Sequence, residues 1–132
     1  AAGLTERVVF EPWQSNLAPY YRSANLFLST SNFEGYGMTL IEAISAHCPV
    51  VSSDVGIASE LLKDGVTSPV CPVGDMRCFF ERIADMVENP AVREHIVIEA
   101  RNRLDRVAIS DKNEYLARYQ ENIELARQSQ RS

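Results

Sequence analysis

The amino-acid sequence predicts an α/β fold: a Rossmann-like domain with three layers (α/β/α) around a mainly parallel sheet, followed by a helical C-terminal tail. Short apolar runs alternate with helical patterns three times over the first part of the chain, as expected of βαβ units. The run Ala24–Leu28 is apolar at nearly every position, which is typical of a strand buried on both faces. The chain has 132 residues, 45% of them apolar, which suits a single domain with its own hydrophobic core.

The alternating part begins with Val8–Phe10, a β-branched and aromatic run that Pro12 closes and that predicts a first strand. A helix over about Ser15–Arg22 leads into the strand Ala24–Leu28. The helix predicted for Met38–Ala46 is mostly apolar, so we expect it to be largely buried and to end before Pro49. The later elements of this part are the strand Pro49–Ser52, a short helix from Gly56 to Leu62, a turn at Asp64-Gly65 and an extended segment Val66–Cys71.

Three helices follow, predicted over about Met76–Val87, Ala91–Val107 and Lys112–Gln128. Apolar side chains recur at helical spacing in the first and the last of them, which predicts two core-facing stripes. Those stripes consist of Phe79, Phe80, Ile83, Ala84 and Val87, and of Tyr115, Leu116, Tyr119, Ile123 and Ala126. The single domain, residues 1–132, therefore divides into an α/β body over about 8–107 and a C-terminal helix over about 110–128.

Charge and cysteine usage argue against several classes of function. Lys and Arg number 13 against 18 Asp and Glu, a net charge of −5, so no nucleic-acid partner is expected. No apolar run approaches a membrane span and no secretion signal opens the chain, so we expect a cytoplasmic protein whose longer parent could still attach to the inner membrane face. Cys48, Cys71 and Cys78 form no CxxC pair, so we expect reduced thiols and no metal site.

The segment that carries chemistry joins the Ala24–Leu28 strand to the next helix. In an open α/β sheet, ligands bind at the carboxyl ends of the strands, where this loop lies. Gly35 and Gly37 remove side chains, which lets backbone N–H groups approach an anion closely. The helix that begins near Met38 directs its positive dipole end to the same place. A phosphate is the expected guest.

Two carboxylates flank this loop, Glu34 within it and Glu42 one turn inside the helix. Because a carboxylate repels a phosphate, both should face neutral donors. Glu42 suits the vicinal diol of a ribose and Glu34 the hydroxyls of a sugar, so together with the phosphate site they predict a nucleotide-sugar. The alternatives are a solvated Glu34 and a Glu42 that is exposed or ion-paired. Glu42 lies between Ile41 and Ala43 in a mostly apolar helix. A charged side chain there needs a partner, which favours ligand binding by Glu42.

This segment resembles the C-terminal domain of the retaining glycosyltransferases of family 4, also called group 1, which have the two-domain GT-B fold. Their hallmark is two glutamates separated by seven residues in a pattern close to E-G-F-G-x-x-x-I-E-A, which stands here as Glu34-Gly35-Tyr36-Gly37-Met38-Thr39-Leu40-Ile41-Glu42-Ala43. The resemblance continues through Pro49-Val50-Val51, Gly56 with Glu60, Asp64-Gly65 and Gly74-Asp75, and covers roughly residues 8 to 88.

The resemblance implies a role for each residue of the motif. Glu34, the candidate catalytic residue, would bind donor-sugar hydroxyls and help to stabilise charge at the anomeric carbon, and Glu42 would hold the ribose. The backbone around Gly35, together with Tyr36, Gly37, Met38 and Thr39, would contact the sugar and the diphosphate. The implied reaction transfers a sugar from a nucleoside diphosphate sugar to an unknown acceptor, with retention and with neither a cofactor nor an obligatory metal.

The sequence also departs from the family. Pro12, His47, Ile57 and Ser68 stand where the family usually has glycine. A histidine can occupy the left-handed end of a helix at modest cost, so we interpret His47 as structural. Ile57 is either a structural residue of a turn without a role in binding, or a side chain that narrows the approach to the phosphate.

Several parts of such an enzyme are not evident in the sequence. Up to Val70 the basic residues are Arg7, Arg22 and Lys63, which is little cationic help for a diphosphate leaving group. The resemblance implies that an Arg and a Lys, the acceptor site and a catalytic His or Asp come from elsewhere in a longer enzyme, including an N-terminal domain. We therefore expect the chain to be inactive alone, with a final helix that packs back or pairs with a second copy.

Other functions stay open. The missing glycines permit a non-catalytic interaction or regulatory domain of the same fold. A nucleotide-sugar epimerase shares the fold, although the paired glutamates favour the transferase. A receiver domain with Asp54 as phosphoacceptor would need an acidic cluster and a late lysine, and the sequence shows neither.

Overall fold

The computed structural model describes residues 3–62, 70–108 and 111–129, and three parallel strands form one sheet within these ranges. They are β1 (Phe27–Ser29), β2 (Val50–Ser53) and β3 (Val70–Cys71), in the order β1-β2-β3. Phe27 pairs with Val50, and Ser52 pairs with Val70. The carboxyl ends of all three strands therefore meet at one end of the sheet. The predicted α/β fold with a mainly parallel sheet is confirmed.

The helices of the described residues are α1 (Ala18–Ser23), α2 (Met38–Ser45), α3 (Ala58–Leu61), α4 (Met76–Glu88), α5 (Pro90–Val107) and α6 (Lys112–Ser129). Local chemistry fixes several of their starts. The Asp75 carboxylate accepts from the Cys78 N–H at 2.9 Å and so caps α4. Pro90 opens α5 at a position that needs no N–H donor. Asp111 accepts from two backbone N–H groups of the first turn of α6.

Helices cover both faces of the sheet, which gives the predicted three layers. One core joins α2 and α3 to the Val50 face of β2, and a second joins α4 to the Val51 face. Neighbouring residues of a strand point to opposite faces, which is why β2 serves both cores. Helix α5 contributes to both, with Ala100 and Leu104 in the first and Ile96 in the second.

Two expectations about strands were wrong. Val8–Phe10 is not a strand, and its side chains are exposed, up to 93% for Phe10. A three-residue run gains too little without a partner strand and a buried face, and the described chain supplies neither. The strand predicted at Ala24–Leu28 is real, but β1 is an edge strand of the described sheet, and Leu28 is 44% exposed. It is therefore not buried on both faces.

Three expectations about helices also need correction. Helix α2 is amphipathic rather than largely buried, because Leu40, Ala43 and Ile44 face the core while Glu42 is exposed. In α4, Phe79 and Met86 are the buried side chains, whereas Phe80 and Val87 are exposed. The predicted stripe of α6 is not core: its side chains at 115, 116, 119 and 123 are all exposed, so α6 does not pack back on the body. Periodicity revealed an apolar face without showing what covers it.

The expectation of three reduced thiols was wrong for two of the cysteines. Cys71 ends β3, Cys78 lies in the first turn of α4, and their Cα atoms are 5.7 Å apart in a disulfide. The capped turn at Asp75 brings together two residues that the sequence separates. Cys48 is a buried free thiol, and burial raises its pKa. The predicted turn at Asp64-Gly65, residues 66–69 of the predicted extended segment, and Lys63 and Ser68 lie outside the described residues, as do the terminal residues 130–132.

Candidate functional site

The loop of residues 30–37 leaves the carboxyl end of β1 and enters α2, so it lies where the parallel sheet presents its loops. Hydrogen bonds link it to the neighbouring loops. The Ile57 N–H donates to the Tyr36 carbonyl at 2.8 Å, and the Asp54 N–H donates to the Cys71 carbonyl at 2.8 Å. The ends of β1, β2 and β3 therefore form one connected platform.

Gly56 permits the closest of these approaches. A Cβ atom at this position would lie 2.5 Å from the Tyr36 carbonyl oxygen and 3.2 Å from the Glu34 Cβ, and the φ of Gly56 is +55°. Both the space and the left-handed backbone require glycine. Gly56 thus holds the loop after β2 directly against the predicted donor loop.

The two glycines of the predicted donor loop differ in what they contribute. Gly37 is the N-cap of α2 at φ 98°, and no side-chain hydrogen bond caps this helix start. Met38 and Thr39 are exposed and form the first turn at the positive end of α2, where backbone N–H groups have no partner within the helix. A Cβ on Gly35 would meet nothing within 4 Å. The fold itself therefore does not require glycine at position 35.

Glu34 is half-buried and held by a serine of its own loop. The Ser31 hydroxyl donates to Glu34 Oε1 at 2.7 Å. The Ser31 carbonyl in turn accepts from the buried Ser53 hydroxyl at 2.6 Å. Glu34 is therefore not simply solvated, because its Oε1 atom accepts a hydrogen bond from a side chain of the same loop.

Glu42 is exposed on α2 and accepts a hydrogen bond from Tyr21 of α1. The distance from Tyr21 Oη to Glu42 Oε2 is 3.3 Å. The Tyr21 ring is buried and meets Phe27 edge-on at 5.4 Å. Burial, followed by the charge and the hydrogen bond of Glu42, raises the pKa of Tyr21 to about 12. Tyr21 therefore remains a protonated donor at neutral pH and orients the carboxylate.

A cavity of about 530 Å³ lies between α1 and α2. Glu42 and Tyr21 line it, together with Asn16, Arg22 and Ile41. Its size is in the range of small-molecule sites, and it combines one acid, one base and neutral donors. Of the predicted donor-binding residues, Glu42 lines this cavity, whereas Glu34 and the glycine loop belong to the adjacent platform.

Two departures from the family pattern have structural explanations. His47 has φ 60° just after α2, where its N–H donates to the Ile44 carbonyl at 3.0 Å and the Cys48 N–H donates to the Ala43 carbonyl at 2.9 Å. This is the Schellman arrangement, so the structural interpretation of His47 is confirmed. Ile57 is buried in the first core and starts α3. Its side chain lies 3.8 Å from where a Gly37 Cβ would stand.

The described residues hold no group of three or more His, Cys, Asp and Glu side chains placed to bind a metal ion. Within the same ranges, no helix is long and apolar enough to cross a membrane.

Sequence reasoning missed three residues that organise the site: Tyr21, Ser31 and Ser53. Ser31 follows the predicted strand Ala24–Leu28, and the sequence does not mark it as the donor to Glu34. Ser53 bonds a residue 22 positions away, which only the register of the sheet reveals. Tyr21 lay in a correctly predicted helix, but no periodicity shows that its hydroxyl meets an acid on the next helix.

Comparisons with known proteins agree on one family. The model of the family "Glycosyl transferases group 1" matches residues 1–103. The chain is 30% identical over 109 residues to the lipopolysaccharide core biosynthesis mannosyltransferase LpsB of Rhizobium meliloti, covering 81% of this chain and 30% of that protein. The chain thus spans about a third of the length of this curated relative.

Solved structures show the same fold. The Anabaena protein Alr3699/HepE, solved in complex with UDP, superposes with a TM-score of 0.80 at 24% identity, over 91% of this chain and 34% of that chain. The C-terminal domain of the group 1 glycosyltransferase LpcC from Francisella tularensis superposes with a TM-score of 0.74 at 17% identity, over 83% of this chain and 58% of that chain. At these identities the likeness concerns the fold.

Proposed function

Because the chain belongs to the group 1 glycosyltransferases, we propose that it forms the donor-binding domain of an enzyme that transfers a sugar from a nucleoside diphosphate sugar to an acceptor with retention. The observation that carries the proposal is the platform at the carboxyl end of the sheet. There Glu34 and an uncapped helix start lie on one loop, and α2, which begins at the end of that loop, carries Glu42 beside the cavity that it forms with α1.

The proposed division of labour follows from this chemistry. The cavity beside Glu42 takes the nucleoside, with the Glu42 carboxylate accepting from the ribose hydroxyls. The backbone of Gly37, Met38 and Thr39 at the start of α2 faces the diphosphate, where a helix N-terminus favours negative charge. Glu34 accepts from hydroxyls of the sugar. Its charge also stabilises the positive charge that develops at the anomeric carbon.

Transfer itself requires more than this chain. It matches about a third of LpsB, and Arg22 is the one basic residue among those that line the cavity of the described chain. We propose that the acceptor site and additional cations for the leaving diphosphate come from the remainder of a longer enzyme. We further propose that this enzyme works in the cytoplasm without an obligatory metal.

Calorimetric titration of the chain with UDP, GDP and ADP, and with their sugar derivatives, tests the proposal. We expect at least one nucleoside diphosphate to bind. Glu42→Ala should weaken that binding about tenfold to a hundredfold, because it removes a charged acceptor. Glu94→Ala, an exposed acid of α5 away from the cavity, is the matched control and should bind as the wild type does. If no nucleotide binds, the proposal that this chain forms a donor-binding domain is wrong.

A further inference from the structure

Hydrogen bonds through three residues, Ser53, Ser31 and Glu34, connect the central strand of the sheet to the predicted catalytic acid. The Ser53 hydroxyl donates to the Ser31 carbonyl at 2.6 Å, and the Ser31 hydroxyl donates to Glu34 Oε1 at 2.7 Å. Ser53 also lies 3.3 Å from the Ser29 carbonyl at the end of β1. The chain therefore crosses from β2 to the loop after β1 and ends on Glu34.

Ser53, the buried end of this hydrogen-bonded series, is held firmly by the sheet. Ser53 is 1% exposed at the carboxyl end of β2, which pairs with a strand on each side. Its neighbour Ser52 is equally buried, but the Ser52 hydroxyl donates to the Ser53 carbonyl within the same strand. Of these two adjacent buried serines, Ser53 alone reaches the donor loop. The burial of a polar side chain is therefore used here to hold a loop.

The far end of the chain restricts a flexible acid. A glutamate on a loop samples several rotamers, and ordering it during binding costs conformational entropy. The Ser31 hydroxyl takes up Oε1 and leaves Oε2 for a ligand. A Cβ on Gly56 would lie 3.2 Å from the Glu34 Cβ, so the loop after β2 also packs closely beside Glu34. Glu34 is thus oriented before any ligand arrives, which is the condition under which a positioned group contributes most.

We propose that Ser31 is a positioning residue for Glu34 and that Ser53 is the buried anchor of the pair, so that together they present the Glu34 carboxylate to the sugar of the donor. This inference rests on the proposed function. It assigns to the two serines an effect on the sugar end of the donor and none on the nucleotide end, because neither serine lines the cavity that contains Glu42.

Titrating the chain with a nucleoside diphosphate and with the corresponding sugar nucleotide, such as UDP and UDP-glucose or GDP and GDP-mannose, separates the two ends. In Ser31→Ala we expect the Kd for the sugar nucleotide to rise about three- to tenfold, while the Kd for the nucleotide alone stays within about twofold. Ser53→Ala should likewise raise the ratio of the Kd for the sugar nucleotide to the Kd for the nucleotide alone. Ser31→Thr retains the hydroxyl and should restore the wild-type ratio.

Matched controls exclude a general loss of structure. Ser52→Ala removes the neighbouring buried hydroxyl, and Ser23→Ala removes an exposed hydroxyl that bonds only carbonyls of α1. Both should leave the ratio unchanged. Ser31 is half-buried on a loop, so Ser31→Ala keeps the fold, and its result decides the proposal even where Ser53→Ala unfolds the chain.

The outcomes are distinguishable. Equal weakening of both ligands by Ser31→Ala, or no change in either, overturns the positioning role while leaving donor binding intact. A wild-type chain that binds neither ligand overturns the proposed function itself, and the inference with it. Selective loss of the sugar nucleotide, with rescue by Ser31→Thr, supports both.

Discussion

At the scale of single residues, the site depends on where side chains are absent as much as on where they are present. Gly56 approaches the Tyr36 carbonyl so closely that a Cβ would lie 2.5 Å from it, whereas a Cβ on Gly35 would meet nothing within 4 Å. The two glycines therefore have different reasons to be glycine. One is required by the fold, whereas no contact in the described structure requires the other.

This contrast predicts opposite effects of two alanine substitutions. Gly56→Ala should lower the free energy of unfolding by roughly 2 kcal/mol or more, because the backbone must move and φ is positive. Gly35→Ala should change it by less than about 0.5 kcal/mol, yet weaken the binding of the donor. Urea denaturation and calorimetric titration of both variants measure the two effects. A Gly35→Ala protein that binds the donor normally would show that this glycine has no role in the site.

Tyr21 carries a second prediction at this scale. Its pKa is raised to about 12, chiefly by burial and then by Glu42, whereas it titrates near 10 in the unfolded chain. Because the pKa of Tyr21 is higher in the folded chain, its protonation contributes to the free energy of unfolding. This contribution is complete below about pH 10 and is lost as the pH rises towards 12. Ultraviolet titration should show phenolate absorbance that rises near pH 12 and is absent in Tyr21→Phe. A titration curve that Tyr21→Phe leaves unchanged in this range would contradict the contact.

At the scale of elements, the helix bounds followed from the sequence far better than their surroundings did. The bounds of α4, α5 and α6 were predicted to within a residue or two because caps and prolines mark them. The buried face was predicted only in part for α4, where Phe79 and Ile83 pack in the second core but Phe80 and Val87 are exposed. It was wrong for α6, since an apolar stripe does not reveal its partner. The prediction that Glu34 lies in the loop and Glu42 in the helix was correct. The donors that hold them, Ser31 and Tyr21, depend on tertiary register and could not be predicted.

The junction of β3 and α4 gives a prediction about thiols. Cys71 and Cys78 are bonded and Cys48 is free and buried. Thiol counting on the denatured, unreduced chain should therefore find one group, and three after reduction. Cys78→Ser should lower stability by about 2–3 kcal/mol in the chain-entropy account of a short closed loop. Three thiols without reduction would restore the expectation drawn from the sequence.

At the scale of the whole molecule, the body and the last helix differ. The body has two cores that enclose the sheet, and the family model ends at residue 103, before α6 begins. Every described side chain of α6 is exposed, including Tyr115 and Tyr119, whose rings stack at 6.3 Å. The apolar face of α6 is thus a property of the chain that the body does not use.

This exposure predicts that the isolated chain self-associates through α6. Sedimentation over a wide range of concentrations should show the average mass rising above that of the monomer. Truncation after Ala108 should abolish the rise and leave the thermal midpoint within a few degrees, because no described side chain of α6 is buried. A truncated chain that melts far lower would show instead that α6 packs on the body.

Helix α5 places Ile96 on one side of the sheet and Ala100 with Leu104 on the other. Neither core can therefore unfold alone, because opening either one displaces α5, which the other core also contains. Heating should consequently unfold residues 18–62 and 70–107 in a single cooperative step, and the platform at the carboxyl end of the sheet should be lost at the same temperature as the two cores.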